Sequence, residues 1–249
     1  MSVEHAESGC TPGAVPVSQE VANRLLKSVV RNCKAQRVLF DLDSTLLNNR
    51  PRSAVIMREF ASTCNHPLLL RATPAHFPTW SARDSMVLLG LSQEVADSII
   101  DEYMDFWESR FFTSEYCQYD EVILGAVNFV NAVHNAGGLV NYLTGRDETM
   151  RQGTSLSLQT LGFPDPCEDK VELMMKPVAS DSDDLFKDSV LRTLSAEGGI
   201  LAAFDNEPSH INSYRTVFPD AICVHLDTDN SMRDIALIGG IVSIRNFVF

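Results

Sequence analysis

Apolar residues gather in five short runs, Arg37 to Phe40, Leu139 to Leu143, Val171 to Met175, Ile200 to Phe204 and Ala221 to Leu226, each followed at once by polar residues. Runs of this length without strict alternation are the pattern of strands buried on both faces, as in a parallel sheet. Between them a 3.6-residue spacing predicts helices over about 121–136, 147–161, 183–196 and 208–217. A further amphipathic helix opens at Ser18-Gln19-Glu20, carries Val21, Leu25, Leu26 and Val29 or Val30 on one face, and ends near Arg31. Strand and helix alternate, and right-handed crossovers then give an α/β fold with a doubly wound parallel sheet.

One interval breaks the alternation. Nearly a hundred residues separate the first two strands, whereas a crossover helix needs about a dozen. Residues 51–119 hold helical patterns over Arg52 to Thr63, Ser81 to Gly90 and Ser92 to Arg110, and are expected to form a small helical cap domain. The core domain is then 18–50 with 120–249, and residues 1–17, rich in Gly, Pro, Ser and Thr, are expected to be a flexible arm.

Composition narrows the class of protein without naming the chemistry. With 45% hydrophobic and 21% charged residues, the 249-residue chain has the make-up of a globular protein. Its formal net charge of -13 repels a phosphate backbone, so no stable nucleic-acid complex is expected. The six cysteines form no Cys-x-x-Cys pair and read as reduced thiols. No secretory signal and no membrane span is evident, and cytoplasmic location is the expectation. Oligomeric state is not legible.

Ligands of doubly wound sheets bind outside the carboxyl ends of the strands, so the polar residues there carry the functional reading. Asp41 and Asp43 leave the first strand on one side, and like charges that close call for a cation or a shared proton. The same residues would also suit a turn or helix cap. Thr144-Gly145-Arg146 at the second strand end offers a hydroxyl and backbone N–H groups to an anion, with a helix start beyond. A lysine follows the third strand, either Lys176 directly or Lys187 at the start of the next helix, and Asp205 ends the fourth.

Taken together, Asp41-Leu42-Asp43-Ser44-Thr45, Thr144-Gly145-Arg146, Lys187 and Asp205-Asn206 resemble the four motifs of the haloacid dehalogenase superfamily, over about residues 36–226. The inserted cap matches members with a helical insertion after the first strand. The resemblance implies a Rossmann-like core and a Mg²⁺-dependent phosphomonoester phosphatase acting on a small phosphorylated substrate through an aspartyl-phosphate. In it Asp41 is the nucleophile and Asp43 the proton donor and acceptor, with a raised pKa. Asp41, the Asp43 carbonyl and Asp205 hold the metal, with Asn206 or Glu207 completing its shell. Thr144, Gly145 and Lys187 bind the phosphate, with Ser44 and Thr45 beside them and Arg146 and Lys176 as further candidates. Lys187 is preferred over Lys176, because the superfamily usually carries its lysine at a helix start. Ser44 stands where many members have Gly.

The acid at position 43 favours a phosphatase over a dehalogenase or phosphonatase. A phosphomutase or other phosphotransferase, or a non-catalytic binding protein of the same fold, are the alternatives. Trp80, Arg83, Trp107 and Arg110 are the cap residues to watch. Tyr103, Phe106, Trp107, Phe111 and Phe112, at helical spacing, read more simply as the cap's own core.

Overall fold

The computed structural model describes residues 14–249, so most of the expected N-terminal arm, with Cys10, lies outside the described residues. The elements run α1 (Gln19–Asn32), β1 (Arg37–Phe40), β2 (Leu47–Asn48), α2 (Arg50–Ala61), α3 (Ala82–Leu88), α4 (Gln93–Phe111), β3 (Glu121–Val122), α5 (Ala126–Asn135), β4 (Leu139–Asp147), α6 (Arg151–Leu161), β5 (Val171–Lys176), α7 (Asp183–Ala196), β6 (Ala202–Asp205), α8 (Pro208–Val217), β7 (Ile222–Leu226) and β8 (Val242–Ile244). Six strands pair in parallel in the order β5-β4-β1-β6-β7-β8. From β1 the chain winds first toward β5 and then back past β1 toward β8, which makes β1 the switch point where a crevice opens.

Both faces of the sheet are buried. Val38 and Phe40 of β1 pack with α1, α5 and α6, whereas Leu39 between them packs with α7 and α8. The period of two thus divides one strand between two cores. On the first face Phe204 stacks on Phe40 at 5.2 Å and meets Phe129 edge-on at 5.2 Å. Phe247 closes the group 5.5 Å from both Phe129 and Phe204.

Beyond residue 226, where the resemblance ends, β8 adds a sixth strand and Phe247 is fully buried, within the expected core domain. Gly125, which caps α5 at φ +83°, gives the Phe247 backbone room that a Cβ would occupy. At the other end Val17 N–H donates to Ser243 O and Ala14 is buried, so residues 14–17 lie along β8 rather than free of the core.

Residues from α2 to the turn Glu115–Tyr119 form a hydrophobic cluster of their own, with Ile56, Met57, Phe60, Leu69, Met86 and Tyr103 at its centre. Both connections to the sheet pass through a two-stranded antiparallel ribbon, Leu47 opposite Val122 and Asn48 opposite Glu121. Replacing Phe129 with Ala, which empties the middle of the aromatic group, should cost about 3–5 kcal/mol in urea or thermal unfolding.

Candidate active site

Asp41, Lys187 and Asp205 meet at the carboxyl ends of β1 and β6. Lys187 Nζ lies 2.7 Å from Asp41 Oδ1 and 2.8 Å from Asp205 Oδ2, and all three are buried. α7 starts at the N-cap Ser182, whose hydroxyl accepts from Leu185 N–H, and places Lys187 one turn in, on the face that packs on the sheet. Asp205 is further held by Tyr214 Oη at 2.9 Å and by the Glu207 N–H at 2.8 Å. Asp41 Oδ2 accepts no hydrogen bond among the described residues.

One ammonium thus serves two buried carboxylates. Burial raises both pKa values, the lysine lowers both, and the extra donors on Asp205 keep it well below the ordinary carboxylate range. The deficit falls on Asp41, which burial and the nearby Asp205 charge push up to about 7 against the pull of Lys187. A proton on Asp41 supplies the missing positive charge, and a hard cation beside its free oxygen would supply it instead.

Arg146 lies elsewhere than expected. It runs across the crevice, donating from Nη2 to Asp43 Oδ1 at 2.6 Å and from Nε to Asp43 Oδ2 at 2.9 Å, and also from Nη2 to Asp120 Oδ2 at 2.8 Å. It is therefore matched by carboxylates rather than free for phosphate. The expected rise in the Asp43 pKa is overturned: burial would raise it, but the guanidinium charge and its hydrogen bonds win and hold it at about 2. Asp120, at the end of the cap segment, also accepts from Nε and Nη2 of the fully buried Arg52, and from Asn49 Nδ2 at 2.9 Å. Asp43, the second cap connection and the first cap helix are thereby tied together through Arg146 and Asp120.

Other expected phosphate contacts are engaged as well. Thr144 is fully buried outside the cavity, its Oγ1 accepting the Arg146 N–H at 3.1 Å. The helix start foreseen there is displaced, because β4 continues to Asp147, which caps the turn Glu148–Met150. Gly145 lines the cavity, and its missing side chain leaves space that the Asp183 carboxylate fills. Ser44, at φ +59°, occupies the left-handed conformation that suits Gly, and its N–H donates to Leu47 O and Asn49 Oδ1. Thr45 and Asn206 clasp each other: the hydroxyl donates to Asn206 Oδ1 and accepts from Asn206 N–H, both at 3.0 Å. Lys176 Nζ is bound by Asp183 Oδ1 at 2.7 Å and by two loop carbonyls, which removes it as the rival of Lys187. The Glu207 carboxylate is taken by Ser231 and Arg233.

Two residues near the cluster escaped the sequence reading. His210 Nδ1 is 3.2 Å from Lys187 Nζ, while its Nε2 lies 2.8 Å from Asp184 Oδ1 without making an aligned hydrogen bond. His210 and Tyr214 stand one turn apart on the buried face of α8, and that spacing is the signal that could have found them.

Asp41, Asp43, Lys187 and Asp205 line a cavity of ≈ 620 Å³ between the strand ends and the helices of residues 51–119, and Trp80 and Trp107 line its far side. Arg83 and Arg110 do not line it: Arg83 pairs with Asp97, and Arg110 rests on the Phe106 ring near Glu59. For a divalent metal the Asp41 and Asp205 carboxylates in the lining offer oxygen donors that suit a hard, oxygen-seeking ion. Among the described residues no three His, Cys, Asp or Glu side chains form a group that could hold a metal ion by themselves. No helix among these residues is long and apolar enough to cross a membrane.

No family model and no curated protein sequence matches the chain. Its fold is that of haloacid dehalogenase-like hydrolases. A hydrolase of that superfamily from Ehrlichia chaffeensis is 13% identical with a TM-score of 0.51, over 86% of this chain and 93% of that one. CbbY from Rhodobacter sphaeroides, in complex with phosphate, is 12% identical with a TM-score of 0.50, over 86% and 95%. Protein Tyrosine Kinase A from Mycobacterium tuberculosis is 16% identical with a TM-score of 0.50, over 86% and 94%. Identities this low show a shared fold.

The raised Asp41 pKa has a consequence for stability. Above the unfolded value of 3.8 the folded state keeps a proton that the unfolded chain releases, so this group's contribution falls as pH rises from about 4 to about 7. In EDTA, Asp41→Asn should therefore gain on the wild type across that window, by on the order of 2–4 kcal/mol in urea unfolding. A difference that stays constant with pH would contradict the assignment.

Proposed function

We propose that this protein is a Mg²⁺-dependent phosphomonoesterase working through an aspartyl-phosphate on Asp41. The observation that carries the reading is the cluster itself: a buried carboxylate with one unengaged oxygen, a lysine and a second carboxylate at the switch point of a haloacid dehalogenase-like sheet. A general fold likeness would not require these residues to converge.

The Asp41 oxygen attacks phosphorus in line and the leaving oxygen departs, giving an acyl phosphate and splitting one hard displacement into two easier ones. Lys187 lies against the nucleophile, where its fixed charge meets the negative charge of the transferring oxygens. Asp205 holds that ammonium in place. Asp43, kept ionised by Arg146, is a ready base for the water that hydrolyses the acyl phosphate. For the first displacement it must carry a proton, and the negative charge of an arriving phosphate raises its pKa toward that state. Asp41, Asp205 and the Asp43 carbonyl would hold Mg²⁺, with Asn206 or Glu207 completing the shell once it releases its present partners, Thr45 for the one and Ser231 with Arg233 for the other. The ion supplies positive charge that screens an anionic nucleophile from an anionic phosphate. Cytoplasmic location and a small soluble substrate fit this reading.

Two measurements check it. Wild-type protein with Mg²⁺ should release phosphate from p-nitrophenyl phosphate or acetyl phosphate, and Asp41→Asn should lower kcat by at least about a thousandfold; equal rates, or a rate unaffected by EDTA, would contradict it. Arg146→Met removes the charge that keeps Asp43 ionised. The acid limb of the kcat profile, where Asp43 serves as base for the water that hydrolyses the acyl phosphate, should then move to higher pH, and a limb that stays in place would show that Arg146 does not govern Asp43.

A further inference from the structure

Resting on the phosphomonoesterase reading, we infer that the substrate is a monophosphate ester whose leaving group is a flat aromatic ring with no second anionic group.

The first ground is the charge inventory of the cavity. Its lining carries five permanent cations, and each is already matched. Arg50 grips Asp229 with both Nε and Nη2, at 2.7 and 2.6 Å. Arg233 is held by Asp184 and Glu207, Arg52 by Asp120, Arg146 by Asp43 and Asp120, and Lys187 by Asp41 and Asp205. Glu108 on α4 lines the same space and makes no ion pair among the described residues. A second phosphate or a carboxylate on the leaving group would thus find no spare cation to offset its desolvation.

The second ground is apolar surface left unburied in one concavity. Trp80, Met104 and Phe112 are 58%, 39% and 45% exposed, come from two separate cap segments, and all face this cavity. They are not the cap core, which closes without them. Trp107 stands beside them, stacked on Phe111 at 4.2 Å and edge-on to Phe112 at 5.4 Å. Its indole Nε1 is 3.5 Å from Ser53 Oγ, which fixes the ring. Pockets of about 300–1,000 Å³ take a ligand of drug size, so the ≈ 620 Å³ here exceeds the needs of phosphate alone. Aromatic walls reward a planar π surface through offset or edge-on contact, beyond what area alone supplies.

Benzyl phosphate, glycerol 1-phosphate and 2-phosphoglycolate are all esters of primary alcohols, so comparing them isolates recognition from leaving-group chemistry. Benzyl phosphate should show kcat/KM at least tenfold above the other two. Trp80→Ala should shrink the benzyl-to-glycerol ratio about tenfold, chiefly through KM, while Trp80→Phe keeps it. Glycerol phosphate or phosphoglycolate matching benzyl phosphate, or a ratio indifferent to Trp80→Ala, would overturn the inference and leave the phosphatase reading standing. The two failures are separated by the esters themselves: if none of the three is consumed, nor p-nitrophenyl phosphate, the phosphomonoesterase reading fails and this inference falls with it.

Discussion

The site is organised by a shortage of positive charge. One buried ammonium, Lys187, serves two buried carboxylates, Asp41 and Asp205. Desolvation makes an unmatched carboxylate expensive, so the cluster resolves the imbalance unequally. Tyr214 and the Glu207 N–H secure Asp205 as an anion, and Asp41 bears the uncompensated share. Under the proposed function, a nucleophile whose ionisation is favoured by further positive charge is suited to a cation and a phosphate arriving together. The fold exists, in this sense, to bring β1, β6 and α7 to one point.

A second charge chain joins that point to the cap. Asp43, Arg146, Asp120 and Arg52 alternate in sign from the strand end to the first cap helix, and Asn49 joins from the other connection. Removing Arg146 would leave Asp43 without its cation, and removing Asp120 would leave the fully buried Arg52 without its carboxylate. The arrangement fixes where the cap begins and ends relative to Asp43, and it lets the lining of the cavity be shared between two hydrophobic clusters. The cap contributes rings and a carboxylate, whereas the core contributes the charged pairs.

Much of this was legible along the chain, and the reasons are physical. The positions of Asp41, Lys187 and Asp205 follow from topology, because residues just past the ends of parallel strands must share one rim. Side-chain length was not legible. Arg146 follows Thr144 and Gly145 as a phosphate contact would, but its guanidinium reaches two carboxylates that are 77 residues apart in sequence, at 43 and 120. The Asp43 pKa was misjudged for the same reason. Thr144 looked like a strand tip because Gly follows it, yet β4 runs three residues further. β8 and the ribbon of β2 and β3, of three and two residues, are too short for any periodicity to register. The cap aromatics were divided wrongly by a simple rule: helical spacing put Phe112 with the core, although it follows the last turn of α4 and faces the cavity.

The central claim is that Asp41 carries the phosphoryl group between substrate and water. Rapid acid quenching during turnover, followed by borohydride reduction of any acyl phosphate and mass spectrometry of the peptide containing residue 41, tests this most directly. The account predicts homoserine at position 41, formed only when substrate and Mg²⁺ are both present. An unmodified Asp41 during steady turnover, or reduction at Asp43 or Asp205 instead, would contradict it.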